Sequence, residues 1–403
     1  MRLLFLSQYY PPEIGAASNR IGYFARYLAK AGHNVTVLTS APNYPEGKLY
    51  PGYQNRFTKK EENGVTVVRT RILLTPKKNM LTRLAHYLSF IVASFIARPK
   101  IQKPDMIIAT SPPIFTGLLG VIFKKLWKAP LVLDVRDLWP QSVESVGAVR
   151  NRGLLAQTQR LANWMYKNAT HITATSKGIQ KHLPKSVQQK ISIMPNGAEL
   201  DLFQHGESGA RITKMFSLHG KFVALYTGNL GLAQATEVLV EAAELLKARH
   251  DIMLLIVGSG VLLPELEQQA RAKNLSNIIF TGARPRDEMP EYIAASDVCI
   301  IPYKVSDTFR NTLPSKMFDY MAGGKPVVIN LNGEASELIA EADCGMTIEE
   351  NSAKALAESI LYLKNQPAKA GKFGNNGRKF VEKKYTREAV AADLQRLLET
   401  QFS

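Results

Sequence analysis

The chain alternates short apolar runs with longer segments of helical period. In the first half the runs are 3–7, 35–39, 106–110, 131–135, 171–175 and 191–194, and 64–72 alternates apolar with polar residues. Segment 19–31 has helical spacing and stops at Gly32, a residue type suited to the position just past a helix end. Apolar runs this short, set between helices, predict strands buried on both faces of a parallel sheet. Right-handed crossovers make such a layer doubly wound. The pattern restarts after Pro195-Asn196-Gly197, with strands at 222–227, 253–257, 278–281, 298–302 and 327–330 and helices such as 237–250 between them. Two α/β domains are therefore expected, 1–200 and 201–385, with the link near 196–206. A last helix within 386–403 has room to reach back across the boundary.

Segment 80–98 departs from this rhythm. Leu81, Leu84, Leu88, Ile91, Val92 and Phe95 follow helical spacing, but His86, Ser89 and Ser94 interrupt the run. It falls short of the ~20 apolar residues that a spanning helix needs. Lys77, Lys78 and Arg83 lie on one side, and Arg98, Lys100 and Lys103 on the other. Two readings stand: a helix packed on the sheet ahead of 106–110, or one lying in the plane of an anionic membrane surface.

Charge sharpens that choice. Residues 1–200 carry 28 Lys+Arg against 9 Asp+Glu, whereas 201–403 carry 23 against 25. A basic half points to an anionic partner: phospholipid, a diphosphate-bearing substrate or nucleic acid. Nucleic acid has the least support, because no recognition motif occurs and the cations are not interleaved with aromatic residues. Cys299 and Cys344 sit apart from any motif and read as reduced core thiols. The N-terminus runs directly into a strand without the features of a secretory signal, so a cytoplasmic protein is expected.

The densest candidate chemistry lies at 302–329, where an apolar strand passes through a polar loop into a helix opened by Pro314, Ser315 and Lys316. Ser315 is a plausible N-cap, and a helix start at the strand ends of an α/β sheet suits an anion. Arg310 and Lys316 add cations, and Asp319 places a carboxylate one turn on, where it can hold ribose hydroxyls. The competing reading is a capped helix with solvated charges. Gly228, Asn229 and Gly231 follow the first strand of the second domain and would let backbone N–H groups approach a diphosphate, or simply serve a tight turn. Gly258-Ser259-Gly260 and Gly282-Ala283-Arg284 occupy equivalent positions after the next two strands, the latter suited to backbone contacts with a base. In the first domain Arg136 can steady a phosphate and Asp137 can accept from a hydroxyl; a buried Asp–Arg pair shaping the loop is the alternative. No Asp-x-Asp, P-loop, nucleophile elbow or metal-spaced histidine set occurs.

The strings PPEIGAASNR (11–20), TSPPIFTG (110–117), DVRDLWP (134–140), TGNLGLAQ (227–234) and FRNTLPSKMFDYMAGGKPVV (309–328), set in two Rossmann-like halves, make the chain similar to GT-B glycosyltransferases. It resembles the retaining glycosyltransferase family 4, and within it the bacterial surface-polysaccharide branch of N-acetyl-L-fucosamine transferases. The resemblance covers essentially the whole chain. It implies two doubly wound domains facing across a cleft, with the acceptor on the first and a nucleotide sugar on the second. Gly228, Asn229, Gly231, Gly282, Arg284, Asn311, Pro314 and Ser315 would then serve the donor, and Asp319 its ribose. Arg310 and Lys316 would stabilise the leaving diphosphate and, with Glu13 and Asp137 facing the cleft from the other side, make up the catalytic set, while Gly15 and Arg136 would lie on the acceptor side. Where the wider family has two glutamates eight residues apart, this chain has Asn311 and Asp319. Arg136 stands where many members have a histidine. The implied activity is transfer of an N-acetylated hexosamine from a UDP-sugar, without cofactor or metal, to a lipid-linked saccharide at the inner membrane face. The rivals are a UDP-sugar 2-epimerase of the same fold and a non-catalytic nucleic-acid-binding protein.

Overall fold

Successive residues of a strand point to opposite faces, and residues 2–6 are apolar on both after Arg2. Leu4 and Leu6 join Leu38, Ile107, Ala109, Leu131 and Leu133 in one core cluster. Leu3 and Phe5 join Val35, Val37, Met106, Ile108 and Val132 in another. A strand with no polar face must lie inside a sheet covered on both sides, and this one does. The computed structural model describes residues 1–75, 80–147, 149, 151–203 and 208–402. Lys77 and Lys78, and the end of the expected link, lie outside them.

The chain divides into two compact units, Met1–Pro195 with Val390–Ser403, and Asn196–Ala389. The first holds an eight-stranded sheet, β1 (Arg2–Leu6), β2 (Asn34–Ser40), β3 (Thr58–Glu62), β4 (Val65–Thr70), β5 (Met106–Ser111), β6 (Leu131–Val135), β7 (His171–Ala174) and β8 (Ile191–Ile193). Its order is β3-β4-β2-β1-β5-β6-β7-β8. All neighbours are parallel except β3 and β4, which form an antiparallel hairpin through Asn63 and Gly64, both at positive φ. β3, sequence TKKEE, is an exposed edge strand whose charges discourage further pairing. Hydrophobic pattern alone does not reveal it. The final helix, Arg387–Phe402, contributes Val390, Ala391, Leu394, Leu397 and Leu398 to the cluster around Leu3 and Phe5.

The Met80–Ala97 helix forms as expected, but its polarity is inverted. His86, Phe90, Ser94 and Ala97 are buried, while Leu81 (78% exposed), Leu84 (40%), Leu88 (44%), Val92 (59%) and Ile96 (71%) face outward. Residues spaced by three and four share one side of a helix, so these five form a single apolar stripe. The helix packs beside a second one, Ile114–Trp127, on which Leu126 is also exposed.

The second unit is an all-parallel sheet of β9 (Phe222–Thr227), β10 (Ile252–Val257), β11 (Ile278–Phe280), β12 (Val298–Ile301), β13 (Val327–Ile329) and β14 (Gly345–Thr347), in the order β11-β10-β9-β12-β13-β14. β14 is short and only partly buried, and the apolar-run criterion passes over it.

One buried ion pair pins the first unit. Arg20, 1% exposed, meets Asp134 on β6 through Nε–Oδ2 at 3.1 Å and Nη2–Oδ1 at 3.0 Å. Its remaining donors reach the carbonyls of Met194 and Pro195, and Thr173 donates to Asp134 at 2.7 Å. The buried Asp–Arg pair considered for this loop therefore exists, but Asp134 and Arg20 form it rather than Arg136 and Asp137. Asp134→Ala would strand a buried guanidinium, a defect costing about 3–5 kcal/mol. Urea titration of the variant should show the first unit's transition moved to lower denaturant; an unmoved midpoint would mean that the pair stabilises nothing.

Candidate functional site

In the second unit the loops after β9, β10 and β12 converge on the start of the Ser315–Ala322 helix. Gly228 has φ +129° and Gly258 φ +151°, values that other residues rarely adopt. At Gly258 space forbids a side chain as well, and at Gly228 a side chain would displace the Lys316 amine. A Cβ on Gly258 would lie 1.8 Å from the Gly228 carbonyl oxygen, and one on Gly228 would lie 2.9 Å from Lys316 Nζ. Thr227 N–H donates to the Tyr320 hydroxyl at 2.8 Å, and the Tyr226 hydroxyl donates to Asn229 O at 2.7 Å. The glycine turn is thus bolted to the helix behind it.

Lys316 Nζ lies 3.9 Å from the centre of the Tyr226 ring, buried and without a hydrogen-bond partner. Desolvation lowers its pKa to about 7. Beside a glycine turn and a helix start, a cation stripped of water and given no carboxylate is a vacant place for an anion.

Several expected roles change. Ser315 is not the N-cap: Pro314, at φ −62° and ψ 128°, holds that position, and no side chain caps the helix. Ser315 is the first helical residue, whose N–H is one of the free donors of the first turn. Asp319 is not an open carboxylate either. Arg286 grips it in a fork, Nη1–Oδ2 2.5 Å and Nη2–Oδ1 2.7 Å. Arg286 in turn lies 4.0 Å from Glu199, which pairs with Arg387. Arg310 is not a free cation, since Glu350 takes it through contacts of 2.8 and 2.9 Å. Asn311 donates back to Asp307 O of its own short helix at 2.6 Å. Lys316 and Asp319, one turn apart on the helix, have different surroundings. Gly231 packs against the Asn229 side chain, and Gly282, at φ +71°, accepts from Gly258 N–H at 2.9 Å. Arg284 is partly buried, with Nε unpartnered.

In the first unit Glu13 is also not a free catalytic group. Its carboxylate accepts from the backbone N–H of Tyr10 (3.1 Å), Asn43 (2.8 Å) and Tyr44 (2.9 Å), while burial pushes its pKa up to about 7 against those bonds. It ties the loop after β1 to the loop after β2. Gly15 precedes the Ala16–Lys30 helix in extended geometry, close to Tyr44. Arg136 donates to Pro112 O at 2.5 Å and keeps a buried Nε without a partner. Burial raises the pKa of Asp137, opposed by Arg136. Sequence reasoning passed over Arg286, Glu350, Tyr226 and Tyr320, whose partners lie far along the chain. It also passed over the tyrosines around Arg136, which Tyr9-Tyr10 in the first loop announced. Among the described residues no cluster of three His, Cys, Asp or Glu side chains could hold a metal ion.

Residues 15–197 match the family described as "Glycosyl transferase 4-like domain", and residues 212–380 match "Glycosyl transferases group 1". The chain is 27% identical to the "Putative colanic acid biosynthesis glycosyl transferase WcaI" of Escherichia coli (strain K12), over 97% of this chain and 98% of that protein. Its fold is similar to sucrose-phosphate synthase from Thermosynechococcus elongatus, with TM-score 0.80 at 20% identity, covering 100% of this chain and 98% of the other. HepE of Anabaena in complex with UDP-glucose superposes with TM-score 0.74 at 18% identity, covering 99% and 100%. Both likenesses identify two Rossmann-like domains of the GT-B type.

The buried lysine makes stability depend on pH in a definite direction. With a folded pKa near 7 and an ordinary lysine value of 10.5, the unfolded chain binds the extra proton between those limits. Stability therefore rises with pH across that window, and the full penalty is felt below it. Lys316→Met should melt higher than the wild type at pH 7, with the gap closing toward pH 10. Parallel melting curves for the two proteins would show that the amine is not desolvated.

Proposed function

Since the chain carries a glycosyl transferase 4-like domain followed by a glycosyl transferases group 1 domain in a GT-B fold, we propose that it moves a sugar from a UDP-sugar to a saccharide acceptor in surface-polysaccharide synthesis. The sugar is an N-acetylated hexosamine, transferred with retention to a lipid-linked acceptor. The observation that carries this reading is the partnerless Lys316 ammonium behind Gly228, at the start of the Ser315–Ala322 helix. A nucleotide diphosphate fits that vacancy. Its arrival supplies the counter-charge, and the helix start and glycine turn supply backbone donors. Negative charge on the leaving diphosphate grows as the sugar–oxygen bond breaks, so donors fixed in advance lower the barrier more than they strengthen ground-state binding. The acceptor hydroxyl attacks from the face that the diphosphate leaves, and its proton departs with that group. Asp319, held by Arg286, meets the ribose hydroxyls with its remaining acceptor capacity. Arg310, already neutralised by Glu350, adds little net charge.

A lipid-linked acceptor agrees with the inverted Met80–Ala97 helix. The Ile114–Trp127 helix packed beside it exposes Leu126, and the chain along and just after these two helices carries Arg83, Arg98, Lys100, Lys124, Lys125 and Lys128. No helix among the described residues is long and apolar enough to cross a membrane, which leaves docking on the surface as the mode of contact.

Calorimetric titration of UDP at pH 8.5, in buffers of different ionisation heat, tests the donor site. Binding by the wild type should take up close to one proton, as Lys316 becomes charged, and Lys316→Met should lose that uptake. Asp319→Asn should weaken UDP by ~1–3 kcal/mol. Because it also breaks the pair with Arg286, its melting point should fall. Wild-type affinity in both variants would put the nucleotide elsewhere.

Flotation with vesicles tests the membrane surface. The protein should bind anionic vesicles at low salt, each nearby cation contributing ~1 kcal/mol. Replacing Leu84, Leu88 and Val92 together by Ser should abolish binding. Equal failure on neutral and anionic vesicles at low salt would rule the surface out.

A further inference from the structure

The first unit contains a second set of buried polar groups that its fold leaves unsatisfied. In its sheet, strands β2, β1, β5 and β6 are successive neighbours, and the strand order reverses between β1 and β5. Ligands of open α/β sheets sit beyond the carboxyl ends of the strands at such a reversal. Here those ends carry Tyr9 after β1, Tyr44 after β2, Pro112 after β5 and Arg136 after β6. The Tyr9 and Tyr44 rings are 4.9 Å apart, held by the Glu13 carboxylate that bridges their two loops. Tyr87, from the Met80–Ala97 helix, interacts with both phenols and lies 5.6 Å from Phe115. All four rings and Arg136 are partly exposed, so the cluster presents a surface rather than closing into core.

Unpartnered atoms gather along the same edge. Arg136 Nε is buried with no acceptor, as are both amide atoms of Gln8, the residue before Tyr9. Thr110 Oγ1 at the end of β5, and Ser18 and Thr116 Oγ near the starts of the two flanking helices, are in the same condition. Buried polar groups are ordinarily paired, so several orphans on one edge ask for a ligand or water. Asp134 is neutralised by Arg20, and Glu13 is enclosed by three amides. Asp137, disfavoured as an anion by burial, is the remaining acid beside Arg136.

We infer that this edge binds the acceptor, and that the acceptor is an anionic saccharide. Arg136 takes its carboxylate or phosphate oxygens, and a sugar face packs on the rings of Tyr9, Tyr44 and Tyr87. A guanidinium suits such a group because its planar fork matches two oxygens at once. Tyrosine rings offer a flat apolar face with a polar rim, which suits a pyranose. The assignment presupposes the sugar-transfer reading and adds to it the chemical class of the acceptor. The anion comes either from an acidic sugar or from the phosphate of a glycosyl carrier.

Ligand-observed NMR separates these sources, with the donor site filled by saturating UDP. The probes are methyl β-D-glucuronide, glucose 1-phosphate and the neutral methyl β-D-glucoside. At least one anionic probe should bind ten-fold or more tightly than the glucoside. Preference for the glucuronide marks an acidic sugar, and preference for the phosphate marks a carrier. Arg136→Gln should erase the discrimination, Arg136→Lys should retain part of it, and Tyr87→Ala should weaken all three probes alike. An unchanged urea midpoint of the first unit's transition reports that these variants are folded, and unchanged UDP affinity reports the same of the second unit. No probe binding, equal binding of the three, or discrimination that survives Arg136→Gln overturns the assignment. Failure of the wild type to bind UDP would instead count against the donor reading.

Discussion

Parallel strands can be joined only by crossovers, and these are right-handed. A sheet that winds outward from its middle must therefore reverse its strand order once. The reversal lies between β1 and β5 in the first unit and between β9 and β12 in the second. There the neighbouring loops leave in opposite directions, and the strand ends stay uncovered. The candidate groups of each unit cluster at these places. Gly228 follows β9 and the loop to Ser315 follows β12; Tyr9 follows β1 and Pro112 follows β5. The topology provides the vacancy, and local sequence decides what can fill it.

In the second unit the local requirement is close packing. Gly258 approaches the Gly228 backbone so nearly that it tolerates no Cβ, and Lys316 fills the space beside Gly228 against Tyr226. The hydrogen bond from Thr227 N–H to Tyr320 makes strand end and helix one body. Donors fixed in this way need not reorganise when charge develops, which is how preorganised sites act. In the first unit Glu13 plays the corresponding part. Its one carboxylate, accepting from three backbone amides, holds together two loops that lack regular structure.

The elements were legible wherever burial on both faces forces a continuous apolar run. β6 and β9 coincide with the expected 131–135 and 222–227 for that reason. β3 was not legible by this route, because an edge strand need not be apolar. The Asn63-Gly64 pair, which suits a two-residue hairpin turn, was the signal available. Residue types at the candidate site were also visible, but their partners were not. Asp319 and Arg286 are 33 residues apart, and Arg20 and Asp134 are 114 apart. Spacing along a helix says which side chains are near one another, not which distant element competes for them. That is why a carboxylate expected for ribose proves to be gripped by Arg286, and why Ser315 yields the cap position to Pro314.

The contrast between Arg310 and Lys316 turns on the same competition. Both are cations of one loop and the helix that follows it, and charge counting treats them as equals. Arg310 is 40% exposed and satisfied by Glu350, so an incoming anion would have to displace a carboxylate to gain from it. Lys316 has nothing to give up. Its desolvation cost is met when the chain folds, and an arriving anion would recover it. A group destabilised in the free protein and relieved in the complex makes binding strong where the fold is weak. Lys316, alone between Tyr226 and Gly228, is accordingly a poor choice for stability and a good one for receiving an anion, as the proposed reaction requires.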